Sequence, residues 1–171
     1  MVLLVQYTLI FASVLALVAL GGCFSEHSGV INIGLEGIMV MGALGGALAM
    51  KFLPATTPGI VLFILIVLAS VLVGMAFSLL LGFAAIHFNA DQTLVGTALN
   101  LMGTAAAVVI VRAINVAENP DNVSSTVVYR QAKQVFLVKI GDFEFNWFML
   151  IIVLAIIASH IVLYRTKFGL R

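Results

Sequence analysis

From Thr57 to Ile86 the chain carries no charged side chain. A helix crossing the hydrocarbon core of a bilayer needs about 20 apolar residues, so this run can span with residues to spare. Thr57-Pro58 at its start offers a cap followed by proline in the first turn. The surplus length predicts a helix that is tilted, or broken at Gly74 or Gly82. Composition denies such a helix a place inside a soluble domain. The 171 residues are 63% hydrophobic and 9% charged, against about half and about a quarter in soluble proteins. A fold of this size cannot bury that excess, so its solvent is lipid.

Four further apolar runs are candidate spans. They cover roughly residues 2–22, 31–50 (containing Glu36), 92–111 (bounded by Asp91 and Arg112) and 147–164. Trp147 and Tyr164 stand where interfacial anchors are expected. The expected fold is therefore all-α, a polytopic transmembrane bundle of about five spanning helices forming one domain over 1–171. The polar segment 112–146 reads as a loop. Within it, Gly141-Asp142 in VFLVKIGDFEF suggests a small hairpin. Arg165, Lys167 and Arg171 favour a cytoplasmic C-terminus. Five crossings then place the N-terminus and the 112–146 loop outside the cytoplasm, although Arg112, Arg130, Lys133 and Lys139 reduce the charge contrast.

Several classes are disfavoured. A net charge of +1 gives no basic patch for nucleic acid. The single cysteine, Cys23, excludes an intrachain disulfide framework. Leu20-Gly21-Gly22-Cys23 resembles a lipoprotein cleavage box, yet no Lys or Arg precedes Lys51 and the chain stays apolar beyond it. A small residue in a packed helix accounts better for Cys23. No Lys follows a Gly, so a phosphate-binding GxxxxGK loop is absent. His27, His87 and His160 lack metal-ligand spacing, and no Ser lies in a nucleophile elbow. Neither a metal nor a cofactor is expected.

Polar side chains at membrane depth are costly and tend to mark pathways. Two groups stand out. In SEHSGVINIGLEG, Asn32 and Glu36 are four apart and share a helical face. The glycines at 29, 34 and 37 could instead let the backbone unwind, giving a broken helix near 29–37 of the kind that lines a cavity. The plainer alternative leaves Glu36 near the interface, reaching water. In the fourth run, Thr93, Gly96, Thr97, Asn100 and Thr104 fall within a wedge of about 100°. Such a stripe is either a close packing seam or the lining of a path. Gly42 and Gly46 form a GxxxG packing motif.

SGVINIGLEGIMVMGA, DQTLVGTALNLMGTA and YRTKFGLR, in that order, are similar to segments of the inner-membrane permeases of ABC importers. The branch is that of sugar, branched-chain amino acid and nucleoside permeases, and NIGLEG looks most like its nucleoside and simple-sugar group. The resemblance implies ATP-driven alternating access for nucleosides or related small polar solutes in the bacterial inner membrane. It further implies a cytoplasmic ATPase subunit, a second permease subunit and an extracytoplasmic substrate-binding protein as partners. It places Asn100 in a motif helix and the glycine-rich acidic stretch at a helix of the translocation core. Asn32, Glu36, Thr93, Thr97, Asn100 and Thr104 are thus the pathway candidates. Permeases of this kind continue past the FGLR-like segment into a coupling region, so the chain is expected to be an N-terminal portion of about half a permease. Rival readings are a secondary transporter or channel subunit, and an intramembrane enzyme using Glu26, His27 or Glu36.

Overall fold

The computed structural model describes residues 2–54, 56–127, 137–140 and 143–166. Its elements are α1 (Val2–His27), α2 (Leu35–Phe52), α3 (Gly59–His87), α4 (Gln92–Glu118), β1 (Leu137–Ile140), β2 (Phe143–Asn146) and α5 (Trp147–Arg165). The fold is helical, relieved among the described residues by one short hairpin. α1 to α4 include four helices long and apolar enough to cross a membrane, and Met149–Arg165 is a shorter apolar helix.

The chain divides into two compact units, Met1–Ile31 with Lys133–Arg171, and Asn32–Ala132. In the first, α1 packs against α5, and β2 touches both. The antiparallel hairpin pairs Leu137 with Asn146 and Ile140 with Phe143, as the Gly141-Asp142 signal suggests; those two residues lie outside the described ones. Ser13, Met149, Ile152, Ser159 and Leu163 are buried in this unit. The Ser13 hydroxyl donates back to the Leu9 carbonyl at 2.7 Å, so a polar group inside an apolar helix meets no unsatisfied partner.

α1 runs past its expected end near residue 22. Ser25 and His27 prolong it by bonding locally: the His27 Nδ1 lies 2.9 Å from the Cys23 carbonyl. The helix stops where Gly29 takes a left-handed conformation (φ 83°), which costs glycine no steric strain. Cys23 is helical, as expected, but exposed rather than packed.

In the second unit α2 is the middle helix. Its glycines set the spacing on both sides. Gly42 faces Ser70 and Gly74, while Gly46 faces Ser70 and Ile66. Position rises along α2 as it falls along α3, so the two run antiparallel. The Gly42/Gly46 motif is therefore a packing seam, as small residues at such spacing predict. On the other side Gly34 approaches Gly96 and Gly37 approaches Gly103, so α2 and α4 run parallel. α3 shows no break at Gly74 or Gly82: it is one helix from Gly59 to His87. Gly74 is instead a contact with Gly42. Most large apolar side chains, such as Leu94 and Leu101 on α4, are exposed, which is the arrangement lipid allows and water would penalise.

α4 begins where expected. Asp91 caps it, accepting from the Thr93 N–H at 2.8 Å and the Leu94 N–H at 3.1 Å. Asp91→Ala should destabilise the unit by about 1 kcal/mol, read as a lowered unfolding temperature in detergent while Asp91→Asn is near neutral. Its C-terminal end corrects the expectation. The helix continues through Arg112 to Glu118, so the first residues of the supposed 112–146 loop are helical. Arg112 is exposed near the end of that helix, where a long side chain can carry its charge to the interface. Arg130, Lys133 and Asp142 of that loop lie outside the described residues, as do Lys167 and Arg171.

Candidate functional site

The first turn of α2 has a problem that its own sequence does not solve. The leading N–H groups of any helix lack intrahelical acceptors, and the residue in the capping position here is Gly34, which has no side chain to offer. Asn100, from α4, takes that role. Its Oδ1 accepts from the Gly37 N–H at 2.7 Å. Its Nδ2 donates to the Ile33 carbonyl at 2.9 Å. One amide thus caps the helix and grips the non-helical residue just before it.

This grip needs the backbones to be close. A Cβ on Gly37 would strike the Leu99 carbonyl oxygen and lie 2.9 Å from the Asn100 Cα. A Cβ on Gly103 would lie 2.8 Å from the Gly37 carbonyl oxygen, and one on Gly96 2.9 Å from the Gly34 nitrogen. Three glycines therefore let Asn100 reach the start of α2. Gly96, Leu99 and Gly103 form the buried line of α4, and Asn100 stands at its edge.

The sequence-derived candidates divide accordingly. Residues 28–34 are non-helical and α2 starts at Leu35, so the unwinding near 29–37 is present and lies before the helix. This corrects the expectation that the span begins at residue 31. Asn32 is half-buried; its Oδ1 is fully buried and accepts no hydrogen bond from the described residues. Glu36 is exposed in the first turn of α2, where a carboxylate interacts favourably with the positive end of the helix dipole. That placement answers why an acid opens so apolar a helix. Asn32 and Glu36 do not share a helical face, because Asn32 is not helical.

The threonines of the α4 stripe stand beside the seam rather than in it. Thr93 and Thr97 are exposed and Thr104 half-buried. Thr97 donates to the Thr93 carbonyl at 2.9 Å and Thr104 to the Asn100 carbonyl at 3.0 Å. The Thr97 and Thr104 hydroxyls are thus satisfied as donors within α4 and can still accept. The stripe thus contains a packing seam: Gly96 and Asn100 meet the start of α2, while the threonines form a polar margin beside them. No group of His, Cys, Asp or Glu able to hold a metal ion occurs among the described residues.

Sequence reasoning missed a second polar cluster at the far end of the same two helices. Asn115, only 2% exposed, accepts from the Lys51 Nζ at 3.2 Å, and Lys51 pairs with Glu118 at 3.0 Å. Asn115 went unnoticed because α4 was expected to end at Arg112. A usable signal was its spacing from Asn100: fifteen residues are four turns plus about 60°, so both asparagines lean toward α2.

Residues 4–171 match the family described as branched-chain amino acid transport system / permease component. The guanosine ABC transporter permease protein NupQ of Bacillus subtilis is 36% identical over 99% of this chain and 54% of its own length. The nucleoside ABC transporter permease protein NupC of Lactococcus lactis is 33% identical over the same shares. A putative glucose ABC transporter permease protein of Haloferax volcanii, TsgC13, is 37% identical over 59% of this chain. No solved structure matches the chain. It spans about half the length of the curated relatives that it matches end to end. Its apolar helices and these relatives make it a multi-pass protein of the bacterial inner membrane. With a family match running from residue 4 to residue 171, the chain belongs to the family of permease components of branched-chain amino acid transport systems.

Proposed function

We propose that the chain is part of the membrane-spanning subunit of an ABC importer that carries nucleosides or related small polar solutes, sugars included. The likeness to two nucleoside permeases over 99% of the chain carries this reading. Residues 1–171 then belong to one permease domain that does no chemistry of its own; a cytoplasmic ATPase hydrolyses ATP, and alternating access moves the solute. A second permease subunit and an extracytoplasmic binding protein complete the assembly.

Within it, the non-helical residues before α2 and the threonine margin of α4 form one wall of the solute path. Asn32 belongs to this wall through its backbone, since its Oδ1 is buried and out of reach of a solute. Thr93, Thr97 and Thr104 offer hydroxyls, and Glu36 a charge at the mouth. Asn100 acts through the backbone that it holds.

The test is uptake by the assembled transporter in proteoliposomes. Nucleoside uptake should require ATP and the ATPase, survive collapse of ion gradients, and be displaced by other nucleosides but not by leucine. Gradient-driven uptake without an ATPase would replace this reading with a secondary transporter. Thr97→Val, which deletes an exposed hydroxyl, should raise the half-saturating nucleoside concentration by about ten-fold, equal to one lost hydrogen bond of about 1.4 kcal/mol. The segment beyond α4, 119–146, is extracytoplasmic in this arrangement, so a tag inserted at Asn119 should be labelled on intact cells; labelling only after permeabilisation would invert the topology.

A further inference from the structure

Beyond α4 the chain turns back on the helix it has just left. Asn115 Nδ2 donates to the Ser124 carbonyl at 2.9 Å and to the Thr126 carbonyl at 3.0 Å. Its Oδ1 takes the Lys51 ammonium. Both amide hydrogens and the oxygen of a buried side chain are thus committed, to α2 on one side and to the segment 119–127 on the other. That segment is stiffened from within: the Ser124 and Thr126 hydroxyls are 2.6 Å apart, the Thr126 N–H donates to the Ser124 Oγ at 3.1 Å, and the Ser124 N–H to the Asn122 Oδ1 at 3.2 Å. These local bonds present two carbonyls to one amide. Lys51, whose side chain is 10% exposed, is completed by Glu118 at the last turn of α4.

We infer that Lys51, Asn115 and Glu118 form a latch that ties the 119–127 strap to the end of α2, with Asn115 as the positioning residue. The arrangement couples two groups that are otherwise far apart in sequence. Lifting the strap strips Asn115 of both acceptors in a buried place, where bare donors are costly, and the amide must turn or move to recover them. Lys51 then loses one of its two partners. Conversely, removing the Lys51 ammonium frees the Asn115 amide to rotate off the strap. Because coupling between two sites is reciprocal, either end can be disturbed and the other read. The strap's outer side, with Asn119, Asp121 and Val123 exposed, is the handle through which a bound partner would act on α2. This last clause rests on the transport reading; the latch does not.

The experiment uses the full-length protein in nanodiscs and needs no transport. In the first arm, Ser124→Ala with Thr126→Ala removes the strap bonds made by the two hydroxyls without touching Lys51 or Asn115, and acylation of Lys51 is followed by peptide mass spectrometry. The rate should rise by about five-fold or more. In the second arm, Lys51→Met is made and hydrogen exchange is followed at residues 122–127, which should speed by about ten-fold while the α2 and α3 amides stay as they were. Asn115→Asp, nearly the same shape, keeps the acceptor for Lys51 but has no donors. It should free the strap as fully while leaving Lys51 acylation slow, a split that mere space-filling by Asn115 cannot produce. Should Asn115→Asp fail to insert, the first two arms still decide the matter. An unchanged Lys51 rate in the strap variant, or unchanged strap exchange in Lys51→Met, would overturn the latch.

Discussion

Replacing Gly37 with valine is expected to be the most damaging single change in the second unit. The first added carbon already meets the Leu99 carbonyl oxygen and the Asn100 Cα, which are backbone and cannot swing away. α2 must therefore move off α4, and with it the Gly37 N–H moves away from Asn100. Overpacking costs about 1–3 kcal/mol, and an N–H left bare in an apolar setting about as much again. We expect folded protein recovered from membranes to fall at least about ten-fold, since each 1.4 kcal/mol is a factor of ten. Gly82→Val is the matched control: nothing lies within 4 Å of a Cβ there. Equal recovery of the two variants would mean that α2 and α4 do not cross at Gly37.

The second large effect is on Asn100. Asn100→Leu keeps the volume and removes both bonds, to the Gly37 N–H and to the Ile33 carbonyl. Helix packing at the glycines remains, so the protein should insert, but the residues before α2 lose their hold. Amide exchange at residues 33–37 should accelerate by about ten- to a hundred-fold, the measure of about 1.4–3 kcal/mol of lost local stability. Uptake by the assembled transporter should drop with it, while Thr104→Val, which deletes a hydroxyl bonded only to its own helix, should leave exchange unchanged. Normal exchange in Asn100→Leu would show that the clasp does not hold the entry to α2.

Together these two effects separate the seam from the clasp. The glycines set how near two helices can come, through steric exclusion that a methyl group violates. Asn100 uses that nearness to replace a cap that Gly34 cannot supply. Neither works alone: without the glycines the amide cannot reach, and without the amide the close approach leaves the first turn of α2 unsatisfied.

Much is legible in the order of residues. The uncharged stretch from Thr57 to Ile86 could be satisfied only as a helix in lipid, because backbone groups there have no other partners. Asp91 as the boundary of α4, Gly42 and Gly46 as a seam, and the hairpin about Gly141-Asp142 followed from local chemistry, since charges that end apolar runs, small-residue spacing and turn residues act within a few positions. The ends of helices were read less well. α1 and α4 outrun their apolar stretches because Ser25, His27 and Asn115 find hydrogen bonds that a count of apolar residues does not register.

Which polar residues meet one another was a question of another kind. The stripe on α4 marked Asn100 as unusual, but its partners are 63 and 67 residues away, and those of Lys51 lie at Asn115 and Glu118. Periodicity along one helix names the side that must avoid lipid; it holds no information about which helix lies opposite or whether the two run parallel. That is set by how glycines on separate helices interlock, a property of surfaces brought together by folding. So the lipid-spanning helical character was written in the order of residues, while the capping of α2 by Asn100 and the pinning of Lys51 by Asn115 came into being only when α2 and α4 packed side by side.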